Sequence, residues 1–230
     1  MKFLRGINEV IFPTRCISCS TLGSSLCINC RLIWSHKPYF QNISHYSGEK
    51  LLVSSAVIYT PTASHILLSA KESNIDASNK LIALALEFAT ENLLLKESSF
   101  HLTALVPIPS RPQAIRSRGR DFLRVTTKIL SEKFNLPILP ILGYSREVKD
   151  QSRLNSEQRW NNLNGSLVVK VSDISKYSLT GVLLVDDLVT TGATLLAAEK
   201  ALNQAGIRSI GAVTACVAQP LRYGGGRAPF

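Results

Sequence analysis

A chain of 230 residues can hold one full core and a small accessory module, and with 45% hydrophobic and 18% charged residues it is too apolar for a disordered protein. Lys and Arg outnumber Asp and Glu by 26 to 16, a formal charge of +10 that favours polyanionic partners without choosing among nucleic acid, phosphorylated small molecules and an anionic surface. No stretch approaches the roughly 20 apolar residues of a bilayer span, and the opening MKFLRGINEVIFPTRC is interrupted by Arg5, Asn8 and Glu9 before a secretory core can form, so no membrane insertion and a cytoplasmic location are expected.

Four of the five cysteines come first, as Cys16-Ile17-Ser18-Cys19 and Cys27-Ile28-Asn29-Cys30. Two turns, each presenting a pair of thiolates, complete the tetrahedral shell that Zn2+ prefers, and Gly23, Ser24 and Ser25 between them suit a tight return. A structural zinc ribbon over residues 1–48 is the expectation, with a redox dithiol set and chance spacing as the alternatives. Four sulfur ligands leave no position for water, so the site reads as closed and structural. Cys216, in an apolar run, reads as a small buried hydrophobe.

Residues 49–218 read as the main domain. Leu51 to Tyr59 is β-branched and apolar, a strand. Ser64 to Lys71 reads as a short helix, and Asp76 as the cap of the next, whose core face uses Leu81, Leu84, Ala85 and Phe88. Thr103 to Ile108 is a buried strand, followed by a long basic helix from about Ala114 to Phe134 and a short strand over Pro137 to Leu142. The polar stretch 145–163 lacks core periodicity and suits a binding loop. Strands at Ser166 to Val171, Val182 to Val185 and Ser209 to Cys216, with a helix from Ala193 to Ala205, then alternate as in a parallel βαβ sheet, and 219–230 reads as a flexible basic tail.

The chemistry concentrates after Val182-Leu183-Leu184-Val185. Asp186-Asp187 stand at the carboxyl edge of the sheet, where open α/β folds bind ligands, and Thr190-Thr191-Gly192-Ala193-Thr194 turns into a helix. Free backbone N–H groups, the positive helix end and threonine hydroxyls suit a phosphate, and Gly192 permits close approach. Carboxylates would repel that phosphate but accept hydrogen bonds from sugar hydroxyls or organise Mg2+ through water. The combination suits a ligand with a diol at one end and a phosphate at the other, against the plainer alternative of an acidic pair capping a helix.

This segment resembles the signature of type I phosphoribosyltransferases. The resemblance implies an α/β fold with a mainly parallel sheet flanked by helices, carrying the small N-terminal zinc ribbon. It further implies that Asp186 and Asp187 bind the ribose hydroxyls of 5-phosphoribosyl 1-diphosphate (PRPP), and that Thr190 to Thr194 bind its 5-phosphate. The loop after Val106-Pro107-Ile108-Pro109 is then similar to the one that receives diphosphate. The four-cysteine ribbon, the Lys71 region, Val106 to Arg111 with Arg118-Gly119, and Arg146…Gln151-Ser152-x-Leu154…Arg159-x-x-Asn162-x-x-Gly165 together resemble the ComF family of competence-associated homologues. Those members commonly carry Arg-Gly-Phe-Asn-Gln, where this chain reads Arg118-Gly119-Arg120-Asp121-Phe122. The ComF resemblance implies DNA uptake, single-stranded DNA and a DNA-handling helicase or uptake proteins as partners.

On that reading magnesium-bound diphosphate leaves C1 as a nitrogen nucleophile attacks. Lys71, Arg111 and Arg146 are the candidates to stabilise the departing charge, with Arg153 and Arg159 behind them. The competing class is a non-catalytic DNA- or protein-binding factor that keeps the fold. Residues 101–160 hold eleven Lys/Arg against five acids, and Tyr144, Phe122 and Trp160 are candidates to stack on bases.

Overall fold

The computed structural model describes residues 13–44, 50–97, 101–145, 165–170 and 181–218. Arg146, Lys149, Arg153, Arg159 and Trp160 lie outside the described residues, as does the tail from 219 onward.

Among the described residues five strands form the main sheet, in the order β1 (Tyr39–Ser44), β2 (Lys50–Ile58), β7 (Ser209–Val217), β6 (Val182–Val189) and β3 (Ala104–Pro107). Only the β1–β2 pair is antiparallel; β2, β7, β6 and β3 run parallel. The parallel strands are near-continuous apolar runs because both faces are covered, and Val53, Val182 to Val185 and Ala212 to Val213 are fully buried. Two further strands, β4 (Leu142–Tyr144) and β5 (Leu167–Val169), pair with each other in a separate ladder.

Six helices accompany them among the described residues: α1 (Ile28–Ile33), α2 (Pro61–Ser73), α3 (Asp76–Lys96), α4 (Pro112–Arg118), α5 (Phe122–Phe134) and α6 (Ala193–Gln204). None is long and apolar enough to cross a membrane. Thr60 caps α2 by accepting from the Ala63 N–H at 3.2 Å, with Pro61 at the first helical position, where its missing N–H costs nothing. Asn74, at φ 51°, ends it.

Several expectations shift. The single helix over 114–134 is two, because Gly119 takes φ 69° and Asp121 starts a new helix by accepting from the Arg124 N–H. The strand expected over Pro137 to Leu142 lies instead at Leu142–Tyr144, and only a lone parallel bridge joins Ile138 to Leu105. In α3, Leu84 is 51% exposed while Ile82, Ala85, Leu86, Ala89 and Leu93 face the core. Asp76 lies inside the first turn, where it pairs with Lys80 at 2.8 Å.

The parallel segment of β3 stops at Pro107 opposite Val185, while β6 continues against β7 to Val189. From Asp186 onward one edge of β6 is therefore free of a strand neighbour, and a cleft of about 480 Å³ opens there.

Candidate sugar-phosphate site and metal centre

The acidic pair lies in the second half of β6, past the end of β3, and faces this cleft. Asp187 is 7% exposed, and its Oδ2 forms an ion pair with the Lys71 ammonium from the last turn of α2. The Asp187 N–H donates to Asp186 Oδ1 at 2.8 Å. Burial, reinforced by the Asp187 charge, pushes the Asp186 carboxyl well above its ordinary value. For Lys71, burial opposes the charge, but the carboxylates of Asp187 and Asp186 win and its pKa rises.

Beyond the pair, Gly192 takes φ 77° and begins α6. A Cβ there would stand 2.7 Å from Ile43 Cδ1, so the turn is closed down on β1 and only glycine fits. The first turn of α6 carries no acidic side chain, which leaves its N-terminus free to favour an anion. Thr190 and Thr194 border the same cleft as Asp186 and Asp187. The arrangement thus places two carboxyl groups beside a helix N-terminus.

The loop after β3 also lines the cleft. Ser110 donates to Asp121 Oδ1 at 2.9 Å, which ties this loop to the start of α5. Arg111 and Tyr144 line the cleft as well; burial and the Asp186 charge raise the Tyr144 pKa, and Arg111, hydrogen-bonded to it, pulls the other way. Phe122 lines the cleft but is 1% exposed, with the Arg120 guanidinium 5.4 Å from its ring, so it packs rather than offering a stacking face.

Two residues acquire a place that sequence reasoning missed. Arg118 Nε donates to Glu72 at 3.1 Å, and Arg120 donates to the carbonyls of Ala70 and Lys71. The turn in which this chain departs from the ComF string therefore latches the stretch that carries Lys71. Strong basicity within four residues of Gly119 was the available signal, but its partners in α2 are remote in sequence. Of the expected site residues, Lys71, Arg111, Asp186, Asp187, Thr190 and Thr194 border one cleft, Thr191 and Ala193 flank Gly192 in the adjoining turn, and Arg146 is outside the described residues.

The four-cysteine cluster is a separate centre. The sulfurs of Cys16, Cys19, Cys27 and Cys30 all lie within 4.8 Å of one another; a tetrahedral zinc thiolate site places its sulfurs about 3.8 Å apart. The Cys27 N–H points to Cys16 Sγ at 3.5 Å. Burial alone would raise the Cys16 thiol, but backbone N–H groups of Cys27, Cys19 and Ser18 bring it down to about 6, whereas burial pushes Cys30 up to about 12. The cluster is able to coordinate a metal ion, and its chemistry suits zinc. Cys216 is fully buried on β7.

A family model described as a phosphoribosyl transferase domain matches residues 114–225, which include the acidic pair and the Gly192 turn. The fold is phosphoribosyltransferase-like. Among solved structures, the chain is similar to an adenine phosphoribosyltransferase at 12% identity, covering 77% of this chain and 84% of the other with a TM-score of 0.42. It is also similar to the adenine phosphoribosyltransferase of Saccharomyces cerevisiae (13% identity, 77% and 83% covered, TM-score 0.38) and to that of Trypanosoma brucei (14%, 91% and 91%, TM-score 0.40). No curated protein matches the chain.

Proposed function

We propose that this chain binds PRPP with Mg2+ and transfers its phosphoribosyl group to a nitrogenous acceptor, as a cytoplasmic protein of the ComF type linked to DNA uptake. One observation carries the reading: a pair of carboxyl groups and the two threonines that bracket a glycine-started helix turn border one cleft. Asp186 and Asp187 receive the ribose hydroxyls, Thr190 to Thr194 hold the 5-phosphate, and Lys71 and Arg111, with Arg146, face the diphosphate. The paired carboxylates are hard oxygen donors that fit magnesium held through its water shell, and the metal supplies charge neutralisation to the diphosphate.

In the transfer, the bond from C1 to the diphosphate oxygen breaks and its electron pair leaves with diphosphate. The acceptor nitrogen donates a pair to C1 and then loses its proton. The cations on the Lys71 and Arg111 side stabilise the charge that develops on the leaving oxygens.

A second reading keeps the pocket but works by binding single-stranded DNA, with a helicase or uptake protein as partner. Exposed Arg116 and Arg124, on the two helices that follow the cleft loop, favour it.

Calorimetric titration of the zinc-loaded protein with PRPP and magnesium, alongside the double variant Asp186→Ala/Asp187→Ala, tests the first reading. Binding by the wild type that is lost in the variant supports it. Absence of wild-type binding, together with salt-dependent binding of single-stranded DNA, would replace it with the second.

A further inference from the structure

Resting on the sugar-phosphate reading above, we propose that Lys71 is the specificity residue by which the cleft selects a ribose 5-phosphate bearing a 1-diphosphate over one without it. Its ammonium occupies the carboxylate that the sugar diol needs. Asp187 Oδ2 is buried and has no ordinary hydrogen-bond partner; among the described residues the Lys71 ammonium holds it. Ammonium and diol therefore compete for one oxygen, and entry of the sugar displaces the lysine.

The displacement is confined to the side chain. The backbone at Lys71 is held by Arg120, which donates to the Ala70 and Lys71 carbonyls, and the next side chain, Glu72, pairs with Arg118 at 3.0 Å. Asn74 in the left-handed conformation ends the helix three residues on. Four methylenes can swing the ammonium, while the helix end stays in place.

What differs between ligands is where the ammonium lands. The Lys71 side chain is 25% exposed and that of Asp187 10%, so water compensates poorly for a broken pair. The charge cannot be shed either, because the neighbouring carboxylates keep Lys71 protonated. Lys71 borders the same cleft as Ser110 and Arg111, the side assigned to diphosphate. A ligand with diphosphate gives the displaced cation an anionic partner. A plain ribose 5-phosphate leaves it partly buried and unpaired, and binds more weakly for that reason. Selection thus acts through a penalty on the wrong ligand as much as through a contact to the right one.

The test is calorimetry on the zinc-loaded full chain with magnesium at one ionic strength, comparing the Kd values of PRPP and ribose 5-phosphate for wild type, Lys71→Met and Lys71→Arg. The preference for PRPP should fall about tenfold in Lys71→Met and stay within about threefold of wild type in Lys71→Arg. A wild type that binds both ligands with a preference unchanged in Lys71→Met overturns the proposal but leaves the sugar-phosphate reading intact. A wild type that binds neither ligand removes both. A second measurement needs no variant: amine acylation of the wild type, read by mass spectrometry at Lys71. Ribose 5-phosphate should raise labelling above the ligand-free level and PRPP should not; equal protection by both would also overturn the proposal.

Discussion

His65 Nδ1 in α2 lies 2.9 Å from the carbonyl oxygen of Ser18, inside the turn between Cys16 and Cys19. The helix whose last turn carries Lys71 is thereby tied, about two turns earlier, to the cysteine cluster. His65→Ala should lower stability by about 1 kcal/mol in urea unfolding of the metal-loaded protein. The same substitution should cost little once a chelator has removed the metal and loosened the turn.

Metal removal has its own signature. Chelation should make Cys16, Cys19, Cys27 and Cys30 reactive toward a thiol reagent under native conditions, while Cys216, at 0% exposure, reacts only on unfolding. Four fast thiols and one slow one, timed by absorbance, are the expected result. Five reacting together would mean that the metal supports the whole fold.

Gly192 and Ile43 define a steric test. Gly192→Ala meets both a φ of 77° and an Ile43 methyl at 2.7 Å from the new Cβ, and should cost about 2–4 kcal/mol by denaturant unfolding. In an Ile43→Ala background, where the clash is gone, adding Gly192→Ala should cost only roughly 1–2 kcal/mol, from the backbone strain alone.

Asp186 predicts a pH dependence. Burial and the neighbouring Asp187 raise its folded pKa well above the ordinary 3.8, so the native state holds a proton that the unfolded chain releases. The stability from this group is fully present below the unfolded pKa and is lost as pH rises toward the folded one. Asp186→Asn, which mimics the neutral acid, should therefore gain on the wild type as pH climbs above the ordinary carboxyl range, in urea unfolding over a pH series. Parallel curves for the two proteins would contradict the assignment.

Arg120 and Arg118 should separate by magnitude. Arg120 is partly buried and donates to backbone carbonyls, so Arg120→Ala should cost about 1–3 kcal/mol. The Arg118–Glu72 pair has a Glu72 side chain 49% exposed, and Arg118→Ala should cost about 0.5 kcal/mol. Thermal unfolding of the two variants distinguishes them.

What could be read beforehand was the chemistry that is contiguous in the chain. The two cysteine pairs and the run from Asp186 to Thr194 each assemble from neighbours, so their spacing already implies their geometry. The Lys71–Asp187 pair was not legible, because only the tertiary fold brings the last turn of α2 to β6, and the two residues are far apart in the chain. The Gly119 break was hidden because basic residues continue across it while the apolar face, Phe122, Leu123, Thr126 and Leu130, begins only afterwards. β1 escaped because an edge strand half in contact alternates as Tyr39, Gln41 and Ile43 on its inner side, and the middle residue is polar. Leu84 was placed inside for its hydrophobicity, but Leu86 takes the core position and Leu84 the solvent.

The strand order has a consequence for synthesis. β7, the middle strand of the sheet, is the last of its strands to leave the ribosome. Until residues 209–217 emerge, the β1–β2 hairpin and the β3–β6 pair are two half-sheets, each with a bare apolar edge and no partner to bridge them. Such edges recruit other chains, so the nascent chain is most exposed to aggregation at the stage when the strand carrying Asp186 and Asp187 is already made.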